Sequence, residues 1–221
     1  MVFKAVAKMG APKKKKFHET KVELPAKEKP MTVFDVVLEN MKTRGIVRNF
    51  RPASVPDDIL KSLIEAARHA ASSENYQPWE FVIVRDQRMK EDVAVACEED
   101  QDCVLKAPVL IIPCLNLKSA RAKKGDKGEI YGVQDVAAAT ENLLLAANAV
   151  GLGTNWIEKI NGGKMSILLK APDWILPLYV VCIGWPAEEP KITDRHDFDE
   201  IVHFDQFGRT PRSLHAWGHG H

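Results

Sequence analysis

Apolar residues recur every three or four positions in several stretches of the chain, which is the spacing of one face of an α-helix. The longest such stretch, residues 133–150, has a broad apolar face, and this width predicts a central helix. Gly151 follows it and is suited to end the helix in a left-handed conformation. The same periodicity predicts further helices over residues 33–41, 56–70, 86–102 and 163–170.

Short runs of consecutive apolar residues predict buried strands instead. They cover residues 81–84, 107–112 and 178–185. Pro108 stands near the start of the second run, where a missing backbone donor is tolerated. A length of 221 residues allows one domain of ordinary to large size or two small ones, and the pattern contains no internal repeat.

The charge balance excludes several classes of partner. Lysine and arginine total 31 and aspartate and glutamate total 30, so no overall field attracts nucleic acid or an acidic membrane surface. No run is long and apolar enough to span a bilayer, and no apolar signal segment follows the N-terminal lysines. The four cysteines form no CxxC pair, which favours free thiols in a reducing compartment. We therefore expect a cytoplasmic protein.

Three polar stretches leave alternatives open. Residues 1–30, with a run of lysines at 13–16, predict a flexible basic arm; a nuclear-targeting or anion-binding segment is the alternative. Residues 116–130 predict a mobile basic loop, whose charges are either merely solvated or part of a lid over an active site. Residues 209–221 predict a flexible tail, with a metal site at its histidines as the alternative.

Residues 72–79, Ser-Ser-Glu-Asn-Tyr-Gln-Pro-Trp, concentrate hydroxyl and amide groups between a predicted helix and a predicted strand. Serine and asparagine suit a helix end because their side chains bond backbone groups. A turn does not need a glutamine beside Pro-Trp, whereas amides and hydroxyls next to an aromatic ring suit a flat heterocycle with polar edges. A capped helix end with a buried tryptophan is the alternative.

Three arginines, Arg44, Arg48 and Arg51, lie within a short segment just after the first predicted helix. Guanidinium groups suit a phosphate because they present a fork of donors, and a solvated basic turn is the alternative. The chain lacks GxSxG, HExxH and Walker motifs, and most of its histidines lie near its ends. This combination favours a bound cofactor that carries the chemistry.

These motifs occur in an order and spacing that resemble a known family. They are Arg-Gly-Ile-Val-Arg at 44–48, the block at 72–79, Ala-Pro-Val at 107–109, Asp135 with Glu-Asn-Leu at 141–143, Gly-Leu-Gly-Thr at 151–154 and Ile-Gly-Trp-Pro at 183–186. Over residues 31–208 the chain is similar to the FMN-dependent nitroreductase (NADH oxidase-like) family. The resemblance implies an α+β fold, with a mainly antiparallel sheet wrapped by helices, and an intertwined homodimer with FMN at the interface.

The resemblance also implies an NAD(P)H-dependent flavin oxidoreductase without a catalytic side chain or a metal. Hydride would pass from NADH or NADPH to FMN and then, in ping-pong order, to a small electron-poor acceptor such as a nitroaromatic or a quinone. The implied FMN-binding residues are Arg44, Gly45, Ile46, Arg48, Ser72, Ser73, Asn75, Gln101, Ile157, Glu158, Lys159 and Arg195.

The resemblance assigns these residues different parts of the cofactor. Arginines 44 and 48 would lie near the phosphate, the ribityl chain and the ring edge, and Arg195 near the phosphate. Serines 72 and 73 and Asn75 would reach the flavin of the partner subunit, while the backbone of 157–159 would lie along the ring. Gln101 would make a polar contact to the ring.

Several positions depart from the family pattern. Gly45-Ile46 replaces Arg-Ser, Ala71 replaces a proline and Thr193 replaces a lysine, which implies a weaker or shared grip on the phosphate. A flavin-consuming or dehalogenating relative is an alternative on the same fold, although the short segment between residues 84 and 107 leaves no room for a long substrate lid. A flavin-storage or interaction protein recruited through the lysine arm is the alternative from another class.

Overall fold

The computed structural model describes residues 30–122 and 124–213, and it has the predicted α+β architecture. An antiparallel sheet separates two layers of helices. Residues 1–29 of the predicted arm and 214–221 of the predicted tail lie outside the described residues, and the domain limits at 31 and 208 stay predictions. Every helix in the described part of the chain is too short or too polar to span a bilayer.

In the described part of the chain the sheet has five strands, all paired antiparallel, with the order β1-β2-β5-β3 and with β4 beside the end of β2. The strands are β1 (Trp79–Val84), β2 (Val109–Asn116), β3 (Gly153–Ile157), β4 (Ile175–Pro177) and β5 (Val180–Gly184). Strand β2 pairs with three others and is buried over almost its whole length, whereas β1 is an edge strand on which Ile83 is 43% exposed. The sheet therefore has its centre at β2 and β5.

Successive residues of β2 pack on opposite faces of the sheet, as the two-residue period of a strand requires. Leu110, Ile112 and Cys114 belong to one core cluster. Val109 and Ile111 belong to the other cluster. Both faces are covered by helices, which explains the unbroken apolar run in the sequence.

Six of the helices in the described residues divide between these two clusters, whereas α1 and α8 have no buried residue. Helices α3, α4 and α7 pack on one face, and α2, α5 and α6 pack on the other. Their bounds are α1 (Val33–Thr43), α2 (Asp57–Arg68), α3 (Gln87–Ala96), α4 (Gln101–Lys106), α5 (Leu117–Arg121), α6 (Lys127–Ala149), α7 (Gly162–Leu168) and α8 (Phe198–Ile201).

The central helix α6 is longer than the periodicity predicted, because it begins at Lys127. Val136, Thr140 and Leu143 form part of its buried face as predicted, whereas Val150 is 45% exposed beyond its end. Gly151 adopts φ +79°, which confirms the predicted left-handed termination. This helix supplies one wall of the candidate site.

Several predicted elements were wrong in detail. The helix predicted over 86–102 is interrupted between α3 and α4, where Cys97 pairs with Ile160 in an isolated bridge. The predicted basic loop at 116–130 is mostly helical, in α5 and the start of α6. Strands β3 and β4 and helix α8 were not predicted, because these segments are short and their patterns are interrupted by glycine, proline or charge.

Candidate cofactor site

The segment 45–51 runs along the edge of the sheet beyond β3. Ile46 pairs with Thr154 on one side and with Lys191 on the other, and the N–H of Val47 donates to the carbonyl of Thr154 at 3.0 Å. A Cβ on Gly45 would lie 2.8 Å from the Cβ of Pro190, so the close approach of these two segments requires glycine there. The pairing fixes the direction of the arginines that flank Ile46.

A cavity of about 310 Å³ opens beside this segment. Its volume lies at the lower end of the range of small-molecule sites, which is about 300–1,000 Å³. Two arginines and four carboxylates line it together with residues of β3 and α6. The lining residues are Arg44, Ile46, Arg48, Glu99, Asp100, Glu141, Leu144, Thr154, Asn155, Trp156 and Glu158.

Arg44 is the less exposed of the two arginines. Its Nε lies 3.2 Å from Oε1 of Glu141 on α6. That contact lacks hydrogen-bond geometry, and Nε is buried without an acceptor among the described residues. An unsatisfied buried donor is costly, so a ligand oxygen that reached this nitrogen would be stabilised.

Arg48 is held by Asp100, which directly precedes α4. The Nε of Arg48 lies 2.9 Å from each carboxylate oxygen of Asp100, and Nδ2 of Asn155 donates to Oδ2 of Asp100 at 2.9 Å. The hydrogen bond from Arg48 is the main reason that the pKa of Asp100 lies below its ordinary value. The same bond raises the pKa of Arg48, so both groups are charged at neutral pH.

Glu188 fixes the backbone on the other side of Arg48. Its Oε1 accepts from the backbone N–H groups of Arg48 at 2.7 Å and Asn49 at 2.9 Å, and its Oε2 accepts from Nδ2 of Asn49 at 2.7 Å. These bonds lower the pKa of Glu188, with the Asn49 side chain as the largest cause. The arginine segment is therefore anchored at its side chain and at its backbone.

The segment after β3 contributes to the cavity in part. Glu158 lines it, whereas the Ile157 side chain is fully buried in the core. Lys159 forms an ion pair with Glu99, at 3.0 Å between Nζ and Oε2. The N–H of Glu98 donates to the carbonyl of Lys159 at 2.8 Å, which fixes this backbone against the segment between α3 and α4.

Residues 72–79, hereafter the serine block, contain a short 3-10 helix, Ser73–Asn75, that lies against α6. The N–H of Ser73 donates to Oδ1 and Oδ2 of Asp135 at 3.0 and 3.1 Å. Burial raises the pKa of Asp135, and the Ser73 bond partly offsets this effect. The block thus has a specific anchor on the central helix.

The backbone of the same block is strained. Glu74, Asn75 and Gln77 have φ values of +50°, +60° and +48°, although none is a glycine. Left-handed non-glycine residues cost on the order of 1 kcal/mol or more each and cluster at functional sites. This concentration of strain favours the ligand-binding interpretation of the block over a simple helix end.

The cavity thus brings together Arg44, Ile46, Arg48 and Glu158 of the predicted residues. Gly45 lies in the same segment and shapes its packing. The structure does not bring the other seven residues into the lining of this cavity. These are Ser72, Ser73, Asn75, Gln101, Ile157, Lys159 and Arg195.

Two of these residues bond locally instead. The Gln101 amide donates from Nε2 to the carbonyl of Cys97 at 2.9 Å. The exposed Arg195 guanidinium turns back on its own loop, where Nη1 donates to Oγ1 of Thr193 at 2.7 Å. The predicted roles of both residues stay predictions.

Sequence reasoning missed the residues that organise the arginines. Asp100, Asn155 and Glu188 belong to no motif, and their parts follow only from contacts between distant segments. Asp135 was noticed within a motif but without a role. Asn155 lies in β3, whose mixed sequence carries no local signal of its part.

The donor set fits a phosphorylated aromatic cofactor such as FMN. Two guanidinium groups face one cavity, and one of them has a buried nitrogen without an acceptor. Thr154 and Trp156 add a hydroxyl and an aromatic ring to the wall. The four carboxylates offset part of the positive charge, so they oppose the binding of an anion in this cavity.

The sequence matches the model of the nitroreductase family over residues 41–102 and 95–185, a region that contains every residue of the cavity lining. The chain belongs to the nitroreductase family. The family confirms the interpretation of the ordered motifs and indicates an NAD(P)H-dependent oxidoreductase.

Two sequence relatives illustrate the family. The chain is 32% identical over 171 residues to a Methanothermobacter thermautotrophicus protein provisionally named as an NADH dehydrogenase/NAD(P)H nitroreductase, covering 75% of this chain and 85% of the relative. It is 30% identical to the oxygen-insensitive NADPH nitroreductase of Salmonella typhimurium, covering 73% of this chain and 70% of that enzyme. Both similarities extend over most of each protein.

Solved structures of the family share the fold. A nitroreductase family protein from Clostridium novyi superposes with a TM-score of 0.64 at 30% identity, over 79% of this chain and 96% of that one. A nitroreductase family protein from Streptococcus pneumoniae superposes with a TM-score of 0.71 at 23% identity, over 76% and 98%. The second likeness supports the fold alone.

Proposed function

We propose that the protein is an FMN-dependent oxidoreductase that passes hydride from NAD(P)H, in ping-pong order, to a small electron-poor acceptor such as a nitroaromatic or a quinone. The observation that carries the proposal is the cavity beside residues 44–48 in a chain of the nitroreductase family. Bound FMN supplies both hydride acceptance and hydride donation, so the protein needs no nucleophilic side chain. The chain's own residues bind and orient the cofactor.

Arg44 is the proposed phosphate ligand. Its buried Nε lacks an acceptor, and a phosphate provides several charged oxygens that accept strong hydrogen bonds from guanidinium. Arg48 is the proposed ligand of the ring edge, where its positive charge stabilises negative charge that develops on reduction. Ile46 and Leu144 supply apolar wall between the two charged groups.

A homodimer is part of the proposal. Helix α1 has no buried residue, and Val33, Phe34 and Val37 on it are 81%, 70% and 47% exposed. A groove of about 390 Å³ with a mostly apolar lining lies between α1, α2 and α6. Such a surface marks an interaction site, and a second copy would bring another serine block to the assembly.

The test is an anaerobic titration of the FMN-loaded protein with NADH and, separately, with NADPH. We expect at least one nicotinamide to bleach the visible flavin absorption, and we expect added quinone or nitroaromatic to restore it. In separate steady-state assays, the initial rate is measured while the concentrations of nicotinamide and acceptor are varied. Parallel lines in the double-reciprocal plots of these rates would support the ping-pong order. A flavin that binds but stays oxidised with both nicotinamides would refute the enzymatic proposal and support flavin storage.

A further inference from the structure

Asp100 lines the cavity and has an unusual backbone conformation. Its φ of +51° is left-handed, although the residue is not glycine, and it stands directly before helix α4. Aspartate adopts this conformation less readily than glycine, so the surrounding contacts must favour it. It places the carboxylate between β3 and the arginine segment.

The carboxylate joins a buried partner in the sheet to a half-exposed arginine. Asn155, 3% exposed in the sheet, donates to Oδ2 of Asp100 at 2.9 Å. The Arg48 side chain is 46% exposed, and its Nε lies 2.9 Å from both oxygens of Asp100. The sheet therefore fixes the direction of the Arg48 guanidinium indirectly, because Asn155 holds Asp100 and Asp100 holds Nε of Arg48.

Asp100 contacts the Arg48 guanidinium at one edge only, through Nε. Among the described residues, no protein group accepts a hydrogen bond from the two terminal nitrogens of Arg48. Guanidinium is planar and presents its donors in fixed directions, so holding Nε sets where the terminal nitrogens point. Asp100 also offsets part of the charge that these nitrogens present to the cavity.

We propose that Asp100 is a positioning residue for FMN: it aims the terminal nitrogens of Arg48 at the flavin and moderates their positive charge. The inference rests on the proposed function, because it assigns Arg48 to the flavin. It predicts two separable effects, one on the direction of Arg48 and one on its charge.

Two substitutions separate these effects. Asp100→Asn removes the charge but keeps an oxygen that accepts from Nε, and asparagine tolerates left-handed backbone. Asp100→Gly removes both the charge and the acceptor, and glycine adopts the same backbone without strain. Asp57→Asn is the matched control, because Asp57 forms an ion pair with Arg85 outside this cavity.

FMN affinity measured by fluorescence quenching, together with the flavin midpoint potential, gives the readout. We expect D100N to bind FMN about tenfold more tightly, with a more positive potential, because a negative charge beside an anion has been removed. We expect D100G to bind about fivefold or more weakly than D100N, because its Arg48 is no longer held. D57N should match the wild type in both measurements.

An unchanged affinity and potential in D100N would overturn the charge effect, and equal affinities of D100G and D100N would overturn the positioning effect. Arg48→Ala adds a further check. In a protein that already carries R48A, D100G and D100N should bind FMN with equal affinity, because there is no longer an arginine to position. A wild-type protein that binds no FMN would refute the proposed function itself. That outcome differs from one in which the wild type and the Asp100 variants all bind FMN equally, which would refute only the role of Asp100.

Discussion

Each arginine of the cavity is paired with a carboxylate from a distant segment. Arg44 faces Glu141 of α6, and Arg48 faces Asp100 before α4. These pairs orient the guanidinium groups, but they also oppose the binding of an anion. The strength of anion binding at the site therefore depends on how many guanidinium N–H donors the carboxylates leave free.

Arg44→Ala should weaken FMN binding sharply. A charge-assisted hydrogen bond is worth about 1.5–3 kcal/mol, which corresponds to roughly 10- to 150-fold in the dissociation constant. Fluorescence quenching of FMN measures the change directly. Arg85→Ala, which removes the exposed partner of Asp57 outside the cavity, is the control and should bind FMN normally. An affinity that stays the same in R44A would make the phosphate assignment wrong.

The pair of Asp100 with Arg48 should make stability depend on pH in the acid range. Because the pKa of Asp100 in the folded protein lies below the ordinary 3.8, its stabilisation is complete above that value and is lost as pH falls through the folded pKa. Urea unfolding between about pH 6 and pH 3 should show a smaller loss of stability in Asp100→Asn than in the wild type. Parallel curves for the two proteins would contradict the ion pair.

At the residue scale, the sequence predicted the two arginines that line the cavity but not Asp100, which holds one of them. Arg44 and Arg48 were predicted because their chemistry is visible in a short motif. The role of Asp100 in holding Arg48 depends on a left-handed backbone and on contacts with Arg48 and Asn155. These two partners are separated from Asp100 by 52 and 55 positions in the sequence. No local pattern encodes either property.

Among the elements, helix α6 connects the core to the site. Leu143 is fully buried on it, and the next residue, Leu144, lines the cavity. Asp135 on the same helix anchors the serine block through Ser73. Loss of packing on this helix should therefore affect both stability and cofactor binding.

Leu143→Ala should lower the free energy of unfolding by about 2–5 kcal/mol, because it leaves a cavity in the core. Val150→Ala is the matched control, since Val150 is 45% exposed beyond the end of the helix, and its cost should stay within about 0.5 kcal/mol. Denaturant unfolding followed by circular dichroism measures both values. Similar costs at the two positions would contradict the observed buried face.

The elements show why periodicity predicts some boundaries and not others. The regular apolar pattern of α6 predicts the helix from residue 133 onward, whereas its polar first turns predict a loop. The pattern over 86–102 was continuous, yet pairing of Cys97 with Ile160 interrupts the helix. Tertiary contacts override local preference in such places.

For the molecule as a whole, the exposed apolar face of α1 supports the proposed homodimer. Phe34 and Val36 on this helix are 70% and 54% exposed. The cavity is small for an entire FMN, and the serine block lies outside its lining. A second copy would cover the apolar face and complete the site.

Val37→Glu should weaken dimerisation by at least about tenfold, because Val37 lines the groove and a carboxylate buried there is costly. Ile167→Glu on α7 is the control, since Ile167 is 81% exposed and lies outside this groove. Sedimentation equilibrium measures the two dissociation constants. A V37E protein that dimerises like the wild type would place the interface elsewhere.

The family assignment illustrates what an entire sequence conveys. Scattered short motifs, each weak alone, identified the family because their order and spacing were right. Assembly and the division of the site between subunits depend on surfaces that a single sequence does not pair. The homodimer and a site shared between its subunits therefore stay proposals.

The central claim is that the cavity beside residues 44–48 binds FMN. Equilibrium titration of FMN into the cofactor-free protein, followed by fluorescence quenching and compared with Arg44→Ala, tests it most directly. We predict saturation at one FMN per chain in the wild type and a dissociation constant roughly 10- to 150-fold larger in the variant. Absence of saturable binding in the wild type, or equal binding by the two proteins, would contradict the account.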